Sequence, residues 1–440
     1  MAHRGVLHSA VDSMTLAGRH VLFVQHAGTP GGSVVSLRYL VDGLIAAGLK
    51  VSVVMAIPHA EVRELYESCG AEVHDIPGIV LFRHTTAGWA SLSAPRACVY
   101  QARSLSHADT GHRALLRLIE REGPDLVHLN SVTLALTARA LSQAGVPLVW
   151  HVRESPVSGY FGVRRDFLRR SLMAYGDEVV FLSDSDRHDW VRGERGAVVP
   201  NVVPIKSLPT AEAVERERAR FGIDQGDRAI AYVGGLARIK GIFPLAEAVR
   251  RLHPRYPGLR ILAPGAIMPP PTSFKGRMAR AVLPRLGLAR DYEQALRILE
   301  EPGLKRVFRQ SGFVHDILPV IAATEFLVFP STVPHFARPV VEAAMVARPA
   351  IGSDLAGVRD LIDDGETGRL VPAGDVARLV EALESWLEDP GHARNLGITA
   401  QERARERFDA ARQVEHVLRI YGRVLATHRV FADGPRSLAP

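Results

Sequence analysis

The stretch EFLVFPS (Glu325–Ser331), followed after Thr332 and Val333 by PHFARPVVEA (Pro334–Ala343), sets the architecture. Four consecutive apolar, β-prone residues closed by Pro330 and Ser331 read as a strand buried on both faces. The second stretch turns and enters a helix, and its only acid is Glu342. A strand, a short loop and a helix opening that carries one carboxylate form the repeating unit of an open α/β sheet. Ligands of such sheets sit beyond the carboxyl ends of the strands.

The same unit recurs along the chain. HVLFVQ (His20–Gln25) leads through a glycine-rich turn into SVVSLRYLVDGLIAAG, where Val35, Leu37, Leu40, Val41 and Leu44 fit a helical stripe. VSVVMA, DLVHLN, PLVWHV and DEVVFLS follow as further apolar runs. The pattern pauses at PNVVPIKSLPTAEAVERERARFG and restarts with RAIAYVGG, LRILAPG, EFLVFPS, PAIGS and RLVPAGD. Strand–helix alternation predicts an α/β fold of two doubly wound Rossmann-like domains facing a cleft. The expected domains are residues 1–204 and 205–400, with a helical segment 401–430 packing back on the first.

A chain of 440 residues exceeds what one core supports, in keeping with two domains. Two cysteines, Cys69 and Cys98, make no disulfide framework and point to a reducing, cytoplasmic setting. No apolar run is long enough to span a membrane. The net charge of +7 is spread over both halves without a basic tract, which suits small anionic partners and disfavours nucleic acid.

Chemistry-bearing residues fall in the loops. QHAGTPGGS places Gly31 and Gly32 between a strand and a helix, where backbone N–H groups approach an anion or merely make a tight turn. GxGxxG is absent, and no acid ends VSVVMAIP, so a dinucleotide site is disfavoured. VGGLARIKG sets Gly234 and Gly235 before Arg238 and Lys240, cations suited to a diphosphate or simply solvated. Asp184 and Asp186 form an Asp-x-Asp that reads better as a helix cap than as a metal site. YFGVRRDFLRRSLMAYG interleaves arginines with aromatics, as a helix on an anionic membrane surface or a solvated helix face would. Five arginines and three histidines between Arg83 and Arg117, against Asp109, suggest an anionic acceptor.

VGGLARIKG, GFVHDILPVIAATEFLVFPS, the Glu-Ala helix opening and GETGRLVPAGD occur in that order. With GPDLVHLNS, PLVWHVRE and VVPNVVP in the first half, they resemble the family 4 retaining glycosyltransferases of GT-B fold. The resemblance implies a nucleoside-diphosphate sugar donor, UDP- or GDP-linked, held by the second half without a metal or other cofactor. It implies a glycan, lipid-linked or small-molecule acceptor on the first half, with peripheral membrane contact. Glu342 matches the second glutamate of the family's Glu–seven residues–Glu motif, which accepts hydrogen bonds from the ribose. Position 334, that of the first glutamate, holds proline, with His335 and Arg338 as candidate substitutes. Lys240 matches the family lysine, while Gly235 replaces an arginine whose role falls to Arg238. His151 aligns with a histidine of the sugar site, though it also reads as a core histidine capping a strand, and the backbone at Phe313 and Val314 would meet the base. A catalytically silent binding protein and a sugar-nucleotide epimerase of the same fold stand as alternatives.

Overall fold

The computed structural model describes residues 16–28, 31–82, 108–157, 160–191, 193–203, 208–265, 291–312, 314 and 316–432. The chain divides into two compact units. Unit 1 comprises Met1–Pro204 with Phe408–Pro440, and unit 2 comprises Ile205–Arg407.

Unit 1 runs β1 (His20–Gln25), α1 (Gly32–Ala46), β2 (Lys50–Met55), α2 (Ala60–Glu67), β3 (Glu72–Asp75), α3 (Ala108–Glu122), β4 (Leu126–Leu129) and α4 (Ala135–Gln143). It continues with β5 (Leu148–Val152), α5 (Val163–Tyr175), β6 (Glu178–Phe181), α6 (Asp184–Trp190) and β7 (Ala197–Val198). The strands form one parallel sheet in the order β3-β2-β1-β4-β5-β6-β7. Both faces are covered, so the strands carry unbroken apolar runs rather than alternation. Val21, Phe23, Val149 and Val180 face α1, while Leu22, Val24, Leu148 and Trp150 face α3, α4 and α5.

Unit 2 repeats the scheme with α7 (Ala211–Arg220), β8 (Arg228–Ala231), α8 (Ile242–Leu252), β9 (Leu259–Ala263), α9 (Asp291–Leu299), α10 (Pro302–Val307) and β10 (Phe308–Gln310). Then come α11 (Leu318–Ala322), β11 (Phe326–Phe329), α12 (Arg338–Met345), β12 (Ala350–Ser353), β13 (Gly368–Val371), α13 (Val376–Glu388) and α14 (Pro390–Arg407). The sheet order is β10-β9-β8-β11-β12-β13, again parallel. The order reverses between β1 and β4 in unit 1 and between β8 and β11 in unit 2. Those reversals are the switch points where open α/β sheets bind ligands.

The return to unit 1 lies later than residue 401. Helix α14 runs unbroken to Arg407 with Ala393, Leu396, Ala400 and Ala404 buried, so it belongs to unit 2. Helix α15 (Ala410–Ala432) belongs to unit 1 and packs on α1. Its Val417, Ile420, Tyr421 and Val424 recur at helical spacing and are buried in the core of unit 1. Each such side chain contributes about 1.5–3 kcal/mol of burial free energy.

Candidate functional site

At the switch point of unit 2, the turn after β8 is bound to the loop after β11. The backbone N–H of Thr332 donates to Ile239 O at 3.1 Å, and Ser331 Oγ donates to the same oxygen at 3.0 Å. Gly241 has φ +83°, and a Cβ there would stand 1.7 Å from Pro330 O, so only glycine lets the two loops meet. Gly234 clears space beside Lys240 and Tyr232, and Gly235 holds a left-handed φ of +60°.

This packing brings Lys240 Nζ to 2.6 Å from His335 Nε2. His335 Nδ1 lies 3.0 Å from Val333 O, which fixes the tautomer: Nδ1–H donates to the carbonyl, and Nε2 accepts from Lys240. The Phe329 ring lies beneath both groups. Burial pulls the Lys240 ammonium down to about 8. Burial, with the Lys240 charge second, pulls His335 down to about 3. At neutral pH the pair is therefore a desolvated ammonium held by a neutral imidazole.

Glu342 lies on α12, one helical turn past Arg338, and is buried. Its Oε1 is 3.2 Å from Arg338 Nε, while Oε2 is buried with no hydrogen-bond partner among the described residues. Burial pushes its carboxyl above the ordinary range, against the opposing pull of Arg338. A buried carboxylate with one unused oxygen is an acceptor prepared for a ligand's donors. Lys240 follows β8 and Glu342 follows β11, two strands paired through Phe326–Ile230 and Leu327–Ala231.

Arg238 is turned elsewhere. Its Nε donates to Asp291 Oδ1 at 2.9 Å, its Nη2 donates to Gln294 Oε1 at 2.9 Å, and it stacks over Phe243. Val314 packs against the apolar cluster of Phe221, Ile223 and Leu262. Phe313 lies outside the described residues.

In unit 1, Gly31 precedes α1 with an extended backbone, and no side chain caps that helix. The space around a Cβ at Gly32 is open. His151 is fully buried inside β5, 5.4 Å from the His128 ring, and neither of its ring nitrogens has a partner. Burial first, then Arg153 and His128, hold it neutral, well below the ordinary histidine range. The same strand places Arg153 and Glu154 just past its carboxyl end. Arg153 Nε donates to Asn130 Oδ1 and its Nη1 to Asn201 Oδ1. Glu154 accepts from Ser131 Oγ and from the backbone N–H of Val132 and Arg153. Arg153 is not among the residues expected from the sequence, where its one mark is its place directly after PLVWHV. Ser183 caps α6, accepting from the backbone N–H of Asp186 at 3.1 Å, and Asp186 accepts from Ser155 Oγ at 2.6 Å.

Comparison with known proteins matches both units. Residues 31–205 match the family model "Glycosyl transferase 4-like domain", and residues 213–403 match "Glycosyl transferases group 1". The chain is 29% identical over 274 residues to an alpha-maltose-1-phosphate synthase of Mycolicibacterium smegmatis, covering 59% of this chain and 66% of that protein. It is 28% identical over 250 residues to a D-inositol 3-phosphate glycosyltransferase of Corynebacterium kroppenstedtii, covering 56% of this chain and half of that one. These alignments therefore span about two thirds or less of the relatives' length. Among solved structures, Anabaena HepE in complex with UDP-glucose superposes with a TM-score of 0.72 at 18% identity, over 91% of this chain and 98% of that one. Two parallel doubly wound sheets, each matched by its own glycosyltransferase model, make this chain a member of the family 4-type glycosyltransferases of GT-B fold.

Proposed function

We propose that the protein is a retaining, metal-independent glycosyltransferase whose unit 2 binds a nucleoside-diphosphate sugar and whose unit 1 presents the acceptor. The observation that carries this reading is that Lys240 and Glu342 follow two adjacent, paired strands at the unit 2 switch point. Lys240 meets the charge that grows on the departing diphosphate. Glu342 accepts from the ribose diol. The bond from the anomeric carbon to the phosphate oxygen breaks as one to the acceptor oxygen forms on the same face. The acceptor proton passes to the leaving phosphate. UDP is the preferred nucleotide of the donor, since solved neighbours of the same fold hold UDP and UDP-glucose. His335 serves this site through Lys240, and Arg338 through Glu342.

A thermal-shift panel of UDP-, GDP-, ADP- and dTDP-sugars, followed by product analysis, tests the reading. One donor should raise the melting temperature of the native protein and should not do so for Glu342→Ala. Sugar transfer with the anomeric configuration kept supports the proposal. Binding without turnover on any acceptor favours a silent binding protein, a reading supported by proline at position 334. Conversion of the donor without an acceptor favours an epimerase.

A lipid-linked acceptor is favoured by the surface around α5. Phe161 is fully exposed and holds a left-handed φ of 56° that costs roughly 1–2 kcal/mol. Val163, Phe167 and Met173 are exposed on the following helix, and Arg170 is exposed among them. Apolar side chains set among arginines suit an anionic bilayer surface. No described helix is long and apolar enough to cross a membrane. Full-length protein is expected to sediment with phosphatidylglycerol vesicles at low salt but not with phosphatidylcholine vesicles, and Phe161→Ser with Phe167→Ser should weaken this several-fold. Equal recovery with both vesicle types would remove the lipid reading.

A further inference from the structure

The carboxyl edge of the unit 1 sheet holds a guanidinium that makes no ion pair among the described residues. The Arg153 guanidinium is fixed by two neutral groups, the side-chain carbonyls of Asn130 and Asn201, both buried. Asn130 is itself held, with Nδ2 donating to Gln25 Oε1 at 3.2 Å. Gln25 Nε2 donates to Tyr66 Oη at 2.9 Å, and Tyr66 donates to Val34 O at 3.2 Å, in the first turn of α1. This chain of polar groups crosses β1 and β4, the switch point of unit 1, and ends at Arg153.

Glu154 does not neutralise the arginine. Its oxygens are engaged by Ser131 Oγ and by the N–H groups of Val132 and Arg153. Among the described residues no carboxylate oxygen lies within 4.0 Å of the Arg153 guanidinium, whereas His26 reaches Glu154 at 3.7 Å. Nη2 has no protein partner among the described residues. Arg153 keeps some accessible surface, yet burial pulls its pKa down to about 10, outweighing the opposing effect of Glu154. Its neighbours feel the surplus charge. His128 and His151 are held below the ordinary histidine range mainly by burial and further by Arg153, and His26 is lowered by burial, with Glu154 opposing and Arg153 adding a smaller effect.

A tie between Asn130 and Asn201 needs hydrogen-bond donors but no charge. A buried charge without a paired counter-ion is costly. A guanidinium with one edge fixed and one nitrogen open is suited to an oxyanion. We propose that Arg153 is an anion-reading residue of unit 1, its Nη2 pairing with a phosphate or carboxylate oxygen of the bound acceptor. This rests on the reading of unit 1 as the acceptor side and adds to it the acceptor's chemistry.

The test uses the full chain carrying Lys240→Met, which removes the unit 2 cation. Inorganic phosphate and acetate are titrated in parallel against the melting temperature and by calorimetry. Phosphate, acetate or both should bind, and Arg153→Met on the same background should weaken that binding about tenfold or more, the usual weight of a charge-assisted contact. A response to phosphate alone assigns a phosphorylated acceptor, and an equal response to acetate assigns a carboxylate. Identical binding with and without Arg153, or no binding of either anion, overturns the inference. Should Arg153→Met fail to fold, the nitrogen NMR shift of the Arg153 guanidinium in the Lys240→Met protein decides, and no movement on adding phosphate overturns it. Because Lys240 is absent throughout, a failed donor site leaves these readouts unaffected.

Discussion

Lys240→Met is expected to lower kcat by about 10²- to 10³-fold, the usual cost of removing one preorganised group that meets developing charge. The same change should raise stability at neutral pH. The folded-state pKa of Lys240 is about 8, against an ordinary value of 10.5. Between those values the native protein holds fewer protons than the unfolded chain, so stability rises with pH through that window. The contribution is lost as pH falls through about 8, and at pH 7 the buried ammonium costs about 3 kcal/mol. Methionine removes that cost, so activity and stability should move in opposite directions. A structural lysine would lose both together. The free enzyme's kcat/KM should fall as pH rises past about 8, because the ammonium is lost. His335 acts on the acid side. Its folded pKa of about 3 lies below the ordinary value of 6.5, so its contribution to stability disappears as pH falls from 6.5 towards 3. Urea midpoints and initial rates measured across the range from about pH 3 to about pH 10 on wild type, Lys240→Met and His335→Gln check all three statements.

Glu342→Gln should raise the donor KM at least tenfold and lower kcat/KM by about 10²-fold. Loss of a buried charged acceptor leaves ligand donors unpaired, at about 1.5–3 kcal/mol per contact. The amide fits the same space but presents a donor where the ribose needs an acceptor. The carboxyl pKa is raised in the folded protein, so its protonated form favours folding. That contribution is present below the unfolded-state value and is lost as pH rises through the folded one. Donor affinity should run the other way, falling as acid protonates the group. Binding and denaturant midpoints of wild type and Glu342→Gln, from about pH 4 to about pH 8, test this. A donor KM unchanged in Glu342→Gln would remove the residue from the ribose site.

Much of the architecture is legible in local chemistry. Apolar runs such as FLVF and VVF, separated by helical stripes and glycine turns, specify parallel strands covered on both faces. The lone acid in PHFARPVVEA already marks a carboxylate near a strand end. The way individual side chains point is not legible. In strands buried on both sides the apolar pattern has no period of two, so HVLFVQ or PLVWHV carries no mark of which face holds which residue. His151, expected at the sugar site by resemblance, is buried within β5 beside the His128 ring. Arg153, two residues on, reaches the carboxyl edge instead.

Local sequence was enough to set the layers, the sheet type and the loops in which chemistry would sit, because these follow from hydrophobic period and turn residues a few positions apart. Which of those loops meet depended on the folded chain as a whole. Lys240 finds His335 across 95 residues, and Arg153 finds Asn201 across 48. Strand order sets those encounters, and strand order arises from packing whole elements together. The burial that displaces the Lys240, His335 and Glu342 titrations comes from the same packing. No single segment encodes it, since desolvation belongs to the assembled surroundings of a group and not to its neighbours in sequence.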